Sequence, residues 1–266
     1  MSSDCKAYTL SAAYYDAIYR DGSRIDYNKS VQEFLKLYED VCQEKLGSLL
    51  DYGCGTGTHA VMFAKQDVKV TGIDPSSDQI ILAKEKARTS GLEDHLQFLI
   101  GDMVDFKSDQ LFDAAGAFFS PFCYLLSDEA VINFLHSAEN IVRPNGLLFF
   151  EFWHILGFDT RRTQSYLVTK DQDTTIYRFN TPILDVETGV IDMPMEHLVV
   201  RDKTVLDEFT EDHKLRAYTV PHIISLVNQT SWRLVEIFGR SYDLPSDERK
   251  PKYDDFRLYA ILQRPG

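Results

Sequence analysis

Three glycines on alternate positions, Gly53, Gly55 and Gly57, constrain this chain more than any other feature. A short apolar strand at Leu49 and Leu50 runs into them through Asp51. A helical run begins behind them near Thr58, with Ala60, Val61, Phe63 and Ala64. Glycine lets the backbone turn sharply and lets a ligand come close to bare amide groups. The helix start adds unpaired N–H groups and a partial positive charge. Strand, glycine turn and helix in that order predict a nucleotide-type site at the carboxyl end of a strand, in an open α/β sheet.

The spacing G-x-G-x-G differs from the G-x-G-x-x-G of dinucleotide-binding turns, which counts against a nicotinamide dehydrogenase. A second apolar strand, residues 68–73, ends at Asp74, where an acid that binds ribose hydroxyls belongs. A third, residues 96–100, is followed by Gly101-Asp102-Met103. Each acid alone reads equally well as a helix cap or a solvated turn residue. Three matching strand ends in register point to one ligand spread across them.

On these residues, the run from Leu49 to about Phe152 resembles the core of class I S-adenosylmethionine-dependent methyltransferases. The resemblance implies a doubly wound, mostly parallel, seven-stranded Rossmann-like α/β sheet. It implies S-adenosyl-L-methionine as cofactor and S-adenosyl-L-homocysteine as product. The turn of Asp51, Gly53, Cys54, Gly55 and Gly57 would pack against the methionine end. Asp74 would bind both ribose hydroxyls, and Asp102 and Met103 would hold the adenine.

Composition narrows the acceptor. With 28 basic and 41 acidic side chains the net charge is −13. Phosphate-backbone binding normally needs a basic face, and no lysine- or arginine-rich cluster is present, so nucleic acid is disfavoured as a partner. No apolar run is long enough to span a bilayer, and the first residues lack the pattern of a secretory signal. Cys5, Cys42, Cys54 and Cys123 have neither metal-ligand spacing nor the look of a disulfide framework. A reduced, cytoplasmic, metal-free protein is expected, without a membrane partner.

Along the chain, residues 1–46 read as a helical cap. Tyr14-Tyr15-Asp16-Ala17-Ile18-Tyr19 resembles the Y-D-x-x-Y opening of small-molecule methyltransferases, in which a tyrosine covers the cofactor. Tyr14 is assigned to the cofactor and Tyr15 to the methyl acceptor. An amphipathic helix is predicted over residues 31–46. Helices are expected at 77–90, 127–142 and 221–229, and strands at 112–119 and 147–152. A turn at Arg143-Pro144-Asn145-Gly146 separates the second helix from the 147–152 strand, and residues 232–239 and 256–263 supply the last two strands. The Rossmann-like domain is thus assigned to 47–158 and 219–266. Residues 159–218 have strand period and composition and are read as an inserted antiparallel β-layer, for substrate contacts, for a homodimer, or for both.

Chemistry is expected where the fourth and fifth strands end. Phe119 begins the loop Ser120-Pro121-Phe122-Cys123-Tyr124-Leu125, which lacks the Asn/Asp-Pro-Pro-aromatic tetrad of enzymes that methylate bases or glutamine. Glu151 and His154 lie at the end of the fifth strand. In the insertion, residues 209–216 resemble an F-x-E-x-H-x-L-R segment of small-molecule methyltransferases, which singles out His213. Tyr15, Tyr124 and His154 are the catalytic candidates; Glu151, His213 and Arg257 are the substrate-binding ones. The resemblance reaches furthest toward N,N-dimethyltransferases of nucleotide-linked amino sugars, where a residue matching Arg257 can meet the diphosphate. The expected activity is in-line methyl transfer to an amine or hydroxyl of a small molecule. The alternatives are an RNA or protein methyltransferase and a cofactor-binding homologue without catalysis.

Overall fold

The computed structural model describes residues 8, 10–21, 26–158, 165–239, 250–252 and 255–266. Strands β1 (Ser48–Tyr52), β2 (Lys69–Asp74), β3 (Leu96–Ile100), β4 (Phe112–Ala117), β5 (Val142–His154), β11 (Arg233–Gly239) and β12 (Arg257–Gln263) form the central sheet. Their order is β3-β2-β1-β4-β5-β12-β11, parallel except for β12, which runs antiparallel to both neighbours. This is the doubly wound sheet expected from the sequence. Helices cover both faces, so its strands are apolar on both sides: Leu49, Leu50 and Tyr52 of β1 are all inaccessible to solvent.

The helices begin and end where local chemistry dictates. In α4 (Ser77–Ser90), Ser76 caps the Gln79 amide and left-handed Gly91 closes the end. In α5 (Asp128–Ile141), Ser127 caps Ala130. Helix α2 covers Tyr27–Cys42, one turn earlier at both ends than the apolar periodicity predicts. The Asp26 side chain accepts from the Lys29 amide and starts it there, and Gln43 at φ 58° stops it before Leu46. The expected turn before β5 is absorbed into that strand as a bulge: Val142 faces Phe112, and the next partner of β4 is Leu147. Asn145 keeps a left-handed φ of 63° inside it, a conformation asparagine tolerates better than most residues.

The inserted strands are β6 (Ser165–Asp171), β7 (Thr174–Asn180), β8 (Ile183–Leu184), β9 (Val190–Arg201) and β10 (Thr204–Tyr218). They pair antiparallel in the order β6-β7-β9-β10, with β8 also on β9. This sheet joins the central one directly, because Ala217 and Tyr218 of β10 pair in parallel with Trp153 and His154 of β5. β4 pairs with β5 only as far as Phe150, so β10 takes over the edge that β4 leaves. The inner face of the insertion has two covers. Ile191, Met193, Met195, Leu215 and Ala217 pack on Cys123 and Tyr124 of the β4–α5 loop. Ile176 and Val199 pack on Ile18 and Tyr19 of helix α1 (Tyr15–Asp21).

The buried Tyr218 hydroxyl donates to the Leu125 carbonyl and so ties the junction to the β4 loop. Tyr218→Phe keeps the ring and leaves that carbonyl without its donor. We expect a loss of about 1–3 kcal/mol in urea unfolding with an unchanged m value; an unaltered midpoint would remove this bond from the account of the junction.

Candidate active site

The glycine turn is held open from beneath. Gly53, Gly55 and Gly57 have φ values of 64°, 54° and 77°, where a side chain is strained. Gly57 also has no room for one, since a Cβ would stand 2.7 Å from Phe98 Cζ. Above Gly55 the neighbours stand back: a Cβ there would be in ordinary contact with Gln79 Oε1 and the Tyr15 hydroxyl, both at 3.8 Å. The Cys54 amide donates to the Ile73 carbonyl at 2.9 Å, pinning the turn to β2.

Two carboxylates face this turn. Asp74 accepts from the Gly55 amide at 3.0 Å and the Ser76 amide at 2.9 Å, which bends β2 into α4. Burial raises its pKa, against the opposing effect of those two amides. Asp51 is 2% exposed and its Oδ2 has no hydrogen-bond partner. Burial first, then the charge of Asp74, holds it well above the usual carboxylate range. A buried carboxyl with an idle oxygen beside a second acid is what a cationic ligand would satisfy. Asp102 is exposed at the end of β3 and accepts from the Val104 amide at 3.1 Å, while Met103 packs against the core.

Helix α1 lies over the turn. Asp16 accepts from Thr56 Oγ1 at 2.6 Å, and Lys86 Nζ reaches Asp16, Thr56 and Thr58 at 2.8–2.9 Å. This clamp sets the Tyr15 hydroxyl over Gly55. Tyr14, expected on the cofactor, turns outward instead, donates to Asp207 Oδ2 at 3.1 Å and stacks on Phe209. Tyr15 and Tyr19 touch with ring centroids 4.6 Å apart, and Tyr19 meets Phe119 at 5.1 Å.

At the end of β4, Phe119 and Ser120 are both left-handed, with φ of 66° and 67°. Ser120 Oγ donates to Glu151 and accepts from Trp153 Nε1 at 3.0 Å. Arg257 stands 3.3 Å from the same Glu151 oxygen, with its guanidinium 5.0 Å from the Phe119 ring. Glu151 and Arg257 are therefore brought together as an ion pair. His154 is not part of this group. Strand alternation puts it on the opposite face of β5 from Glu151 and Trp153, with Nδ1 3.2 Å from the Asp255 carbonyl.

The insertion contributes the remaining wall. The Tyr124 hydroxyl is 2.8 Å from His213 Nδ1, and Tyr8 packs on the His213 ring at 4.7 Å and on Tyr15 at 5.3 Å. Burial pushes the phenols of Tyr8, Tyr15 and Tyr124 well above their ordinary range, so all three stay protonated near neutrality. Tyr15, Tyr124, His213, Phe119, Glu151 and Arg257 thus gather around the carboxyl ends of β1 and β4.

Residues 49–146 match the family model for a methyltransferase domain. The structure superposes on an S-adenosylmethionine-dependent methyltransferase from Clostridium acetobutylicum ATCC 824 with a TM-score of 0.80, covering 97% of this chain and 99% of that one at 17% identity. Residues 49–146 are thus a methyltransferase domain, and the whole chain has the fold of the S-adenosylmethionine-dependent methyltransferases. Over 230 residues this methyltransferase is 24% identical to a Geobacillus sp. (strain WCH70) protein named only as a methyltransferase, covering 86% of this chain and 90% of that one. It is 25% identical over 211 residues to a dTDP-3-amino-3,6-dideoxy-alpha-D-glucopyranose N,N-dimethyltransferase of Streptomyces fradiae, covering 78% of each chain.

The residues present fit the group this family uses. The sulfonium cofactor carries an ammonium that would answer the idle oxygen of Asp51, and Gly55 leaves its backbone bare beside it. Several residues of the methyltransferase site escaped the sequence reading. Thr56 sat unremarked inside the glycine motif, Glu211 inside the segment that yielded His213, and Lys86 more than a helical turn from any motif.

Because the folded pKa of Asp51 lies above its unfolded value, the folded state retains a proton that the unfolded chain would release. Stability therefore falls as pH rises from the unfolded value through the folded one. Asp51→Asn removes that loss. We expect a higher Tm for the ligand-free protein at pH 7, with affinity for S-adenosylhomocysteine reduced about tenfold or more. Thermal melts and calorimetry check both; a lower Tm with unchanged affinity would contradict the assignment.

Proposed function

We propose that this methyltransferase transfers a methyl group to an amine or hydroxyl of a small molecule by in-line displacement, and that its acceptor is the amine of a nucleotide-linked amino sugar. The observation that carries the reading is the cover of rings over the glycine turn, with Tyr15 above Gly55 and Tyr124 bonded to His213. A roof of this kind, fastened by α1 and by the inserted sheet, suits an acceptor small enough to lie beneath it.

The cofactor supplies an activated methyl and a neutral thioether leaving group. The protein's part is to hold the acceptor nitrogen about 3–3.5 Å from that methyl, in line with the departing sulfur, and to exclude water. In this reading Asp74 holds the ribose, Asp51 the ammonium and Met103 the adenine. Phe119, Tyr15 and Tyr19 offer aromatic faces that favour a positive centre between them. Tyr124 borders the acceptor nitrogen. Arg257 meets the acceptor's phosphates, exchanging part of its contact with Glu151 for them.

The amino-sugar assignment draws on the named activity of the Streptomyces fradiae relative, which aligns with 78% of this chain. The acidic balance of the chain favours it over RNA.

Two measurements test the proposal. Methyl-labelled S-adenosylmethionine incubated with dTDP-3-amino-3,6-dideoxy-glucopyranose and a panel of small amines should place label in the small-molecule fraction. Label confined to RNA or protein in a cell extract would overturn the reading. Asp74→Ala should weaken S-adenosylhomocysteine binding by roughly 10- to 100-fold, the equivalent of losing one or two charge-assisted hydrogen bonds. Unchanged affinity would sink the ribose assignment.

A further inference from the structure

Strand β10 breaks the pattern of its own sheet. Its inward positions Glu211, His213, Leu215 and Ala217 are all buried, and in a plain antiparallel sheet each would be apolar. Glu211 is 4% exposed and His213 is 1% exposed. Burying an acid and an imidazole side by side costs free energy unless each is hydrogen-bonded or serves chemistry. Glu211 is held at its Oε1 by the Leu10 and Ser11 amides, at 2.9 and 3.0 Å. Its Oε2 has no hydrogen bond but lies 3.7 Å from His213 Nε2, which has none either. On the other side of the ring, Nδ1 is 2.8 Å from the Tyr124 hydroxyl. A carboxylate, an imidazole and a phenol therefore stand in one line, ending at the loop that follows β4.

We infer that Tyr124, His213 and Glu211 form a proton relay that takes the proton from the acceptor ammonium before methyl transfer, with Glu211 as the residue that sets its direction. The inference rests on the reading that Tyr124 borders the acceptor nitrogen. An amine bound as its ammonium has no lone pair for the methyl. In the relay, the ammonium proton passes to the Tyr124 oxygen while the Tyr124 proton passes to His213 Nδ1. The amine becomes neutral, Tyr124 is again a phenol, and His213 becomes an imidazolium facing Glu211. The count closes with one proton moved and no bond to carbon changed.

This direction requires the neutral His213 to carry its hydrogen on Nε2, toward Glu211, leaving Nδ1 to accept from Tyr124. Burial works against an ionised Glu211, but the facing His213 imidazole and the Ser11 amide prevail and hold its pKa below the usual value. The other ionisable groups around His213 are Tyr8, against its ring, and His197 on β9. Neither lies between it and Tyr124. Glu211 and His213 are positioning residues here, acting through Tyr124.

The first test needs no acceptor. Nitrogen NMR of the histidine-labelled full chain, with the His213 signal identified by its loss in His213→Asn, should show Nδ1 unprotonated and Nε2 protonated in the wild type. The opposite tautomer would overturn the relay. The second test uses whichever amine the labelled panel identifies. Glu211→Gln keeps an oxygen for the Leu10 and Ser11 amides but removes the charge. It should lower kcat on the order of 10- to 100-fold while the KM for S-adenosylmethionine stays within about twofold. In a Tyr124→Phe background the same substitution should have no further effect. His213→Asn, whose side-chain oxygen can still accept from Tyr124, should retain more activity than His213→Phe. An equal loss from Glu211→Gln in both backgrounds would overturn the relay. A panel without turnover would count against the acceptor reading alone, leaving the tautomer to decide this one.

Discussion

Strands of a parallel sheet rarely end level, and a strand that outruns its neighbour leaves amides and carbonyls in need of partners. Here β5 continues to His154 while β4 stops pairing at Phe150. The return of β10 onto Trp153 and His154 settles those groups, and much of the site follows from it. β10 must arrive beside the end of β4, so its inward side chains face the loop that carries Phe119, Ser120 and Tyr124. A step between two strands thereby becomes the wall of a chamber. The methyltransferase fold supplies the floor in β1 and β2, and the insertion is bonded edge to edge with it.

The chemistry of the floor and that of the wall differ in sign and purpose. The floor is acidic, with Asp51 and Asp74 sharing a small volume around bare glycine backbone, an arrangement suited to a ligand with a positive end. The wall is made of rings and neutral phenols, with charge kept to Glu211 and to the Glu151–Arg257 pair. Phenols pushed far above their ordinary range do not ionise near neutrality; they act by accepting and donating hydrogen bonds. On the proposed function, this separation would hold a cation at the floor and leave the acceptor nitrogen beside phenols and an imidazole.

Much of the floor was legible in the sequence, since its elements are local. Gly53 to Gly57, Asp74 and Asp102 each follow an apolar strand by a fixed interval, and short-range spacing survives folding. The wall was less so. Period-two alternation located the strands of the insertion, yet alternation does not say which face points inward, and Glu211 drew no role although it lies in the segment that yielded His213. Parity alone could have separated His154 from Glu151 on β5, because odd and even positions of a strand face opposite sides. The Asp16–Lys86 contact spans 70 residues and a change of element, beyond any local pattern. Tyr14 and Tyr15 carry the same side chain, and only the helix axis of α1 decides that the second covers Gly55. The early start of α2 turned on Asp26, an N-cap that apolar periodicity does not see.

The cap is attached to two different parts of the molecule. Asp16 binds it to the glycine turn through Thr56 and Lys86, and the Leu10 and Ser11 amides bind it to Glu211 on the inserted sheet. One short segment thus spans the glycine turn and the inserted sheet. A ligand that firms either attachment orders the roof for the other, and the entropy spent once is not spent again. On the proposed function the two sites would be thermodynamically linked, and linkage of this kind is reciprocal: each ligand would raise the affinity for the second by the same factor, whichever arrives first.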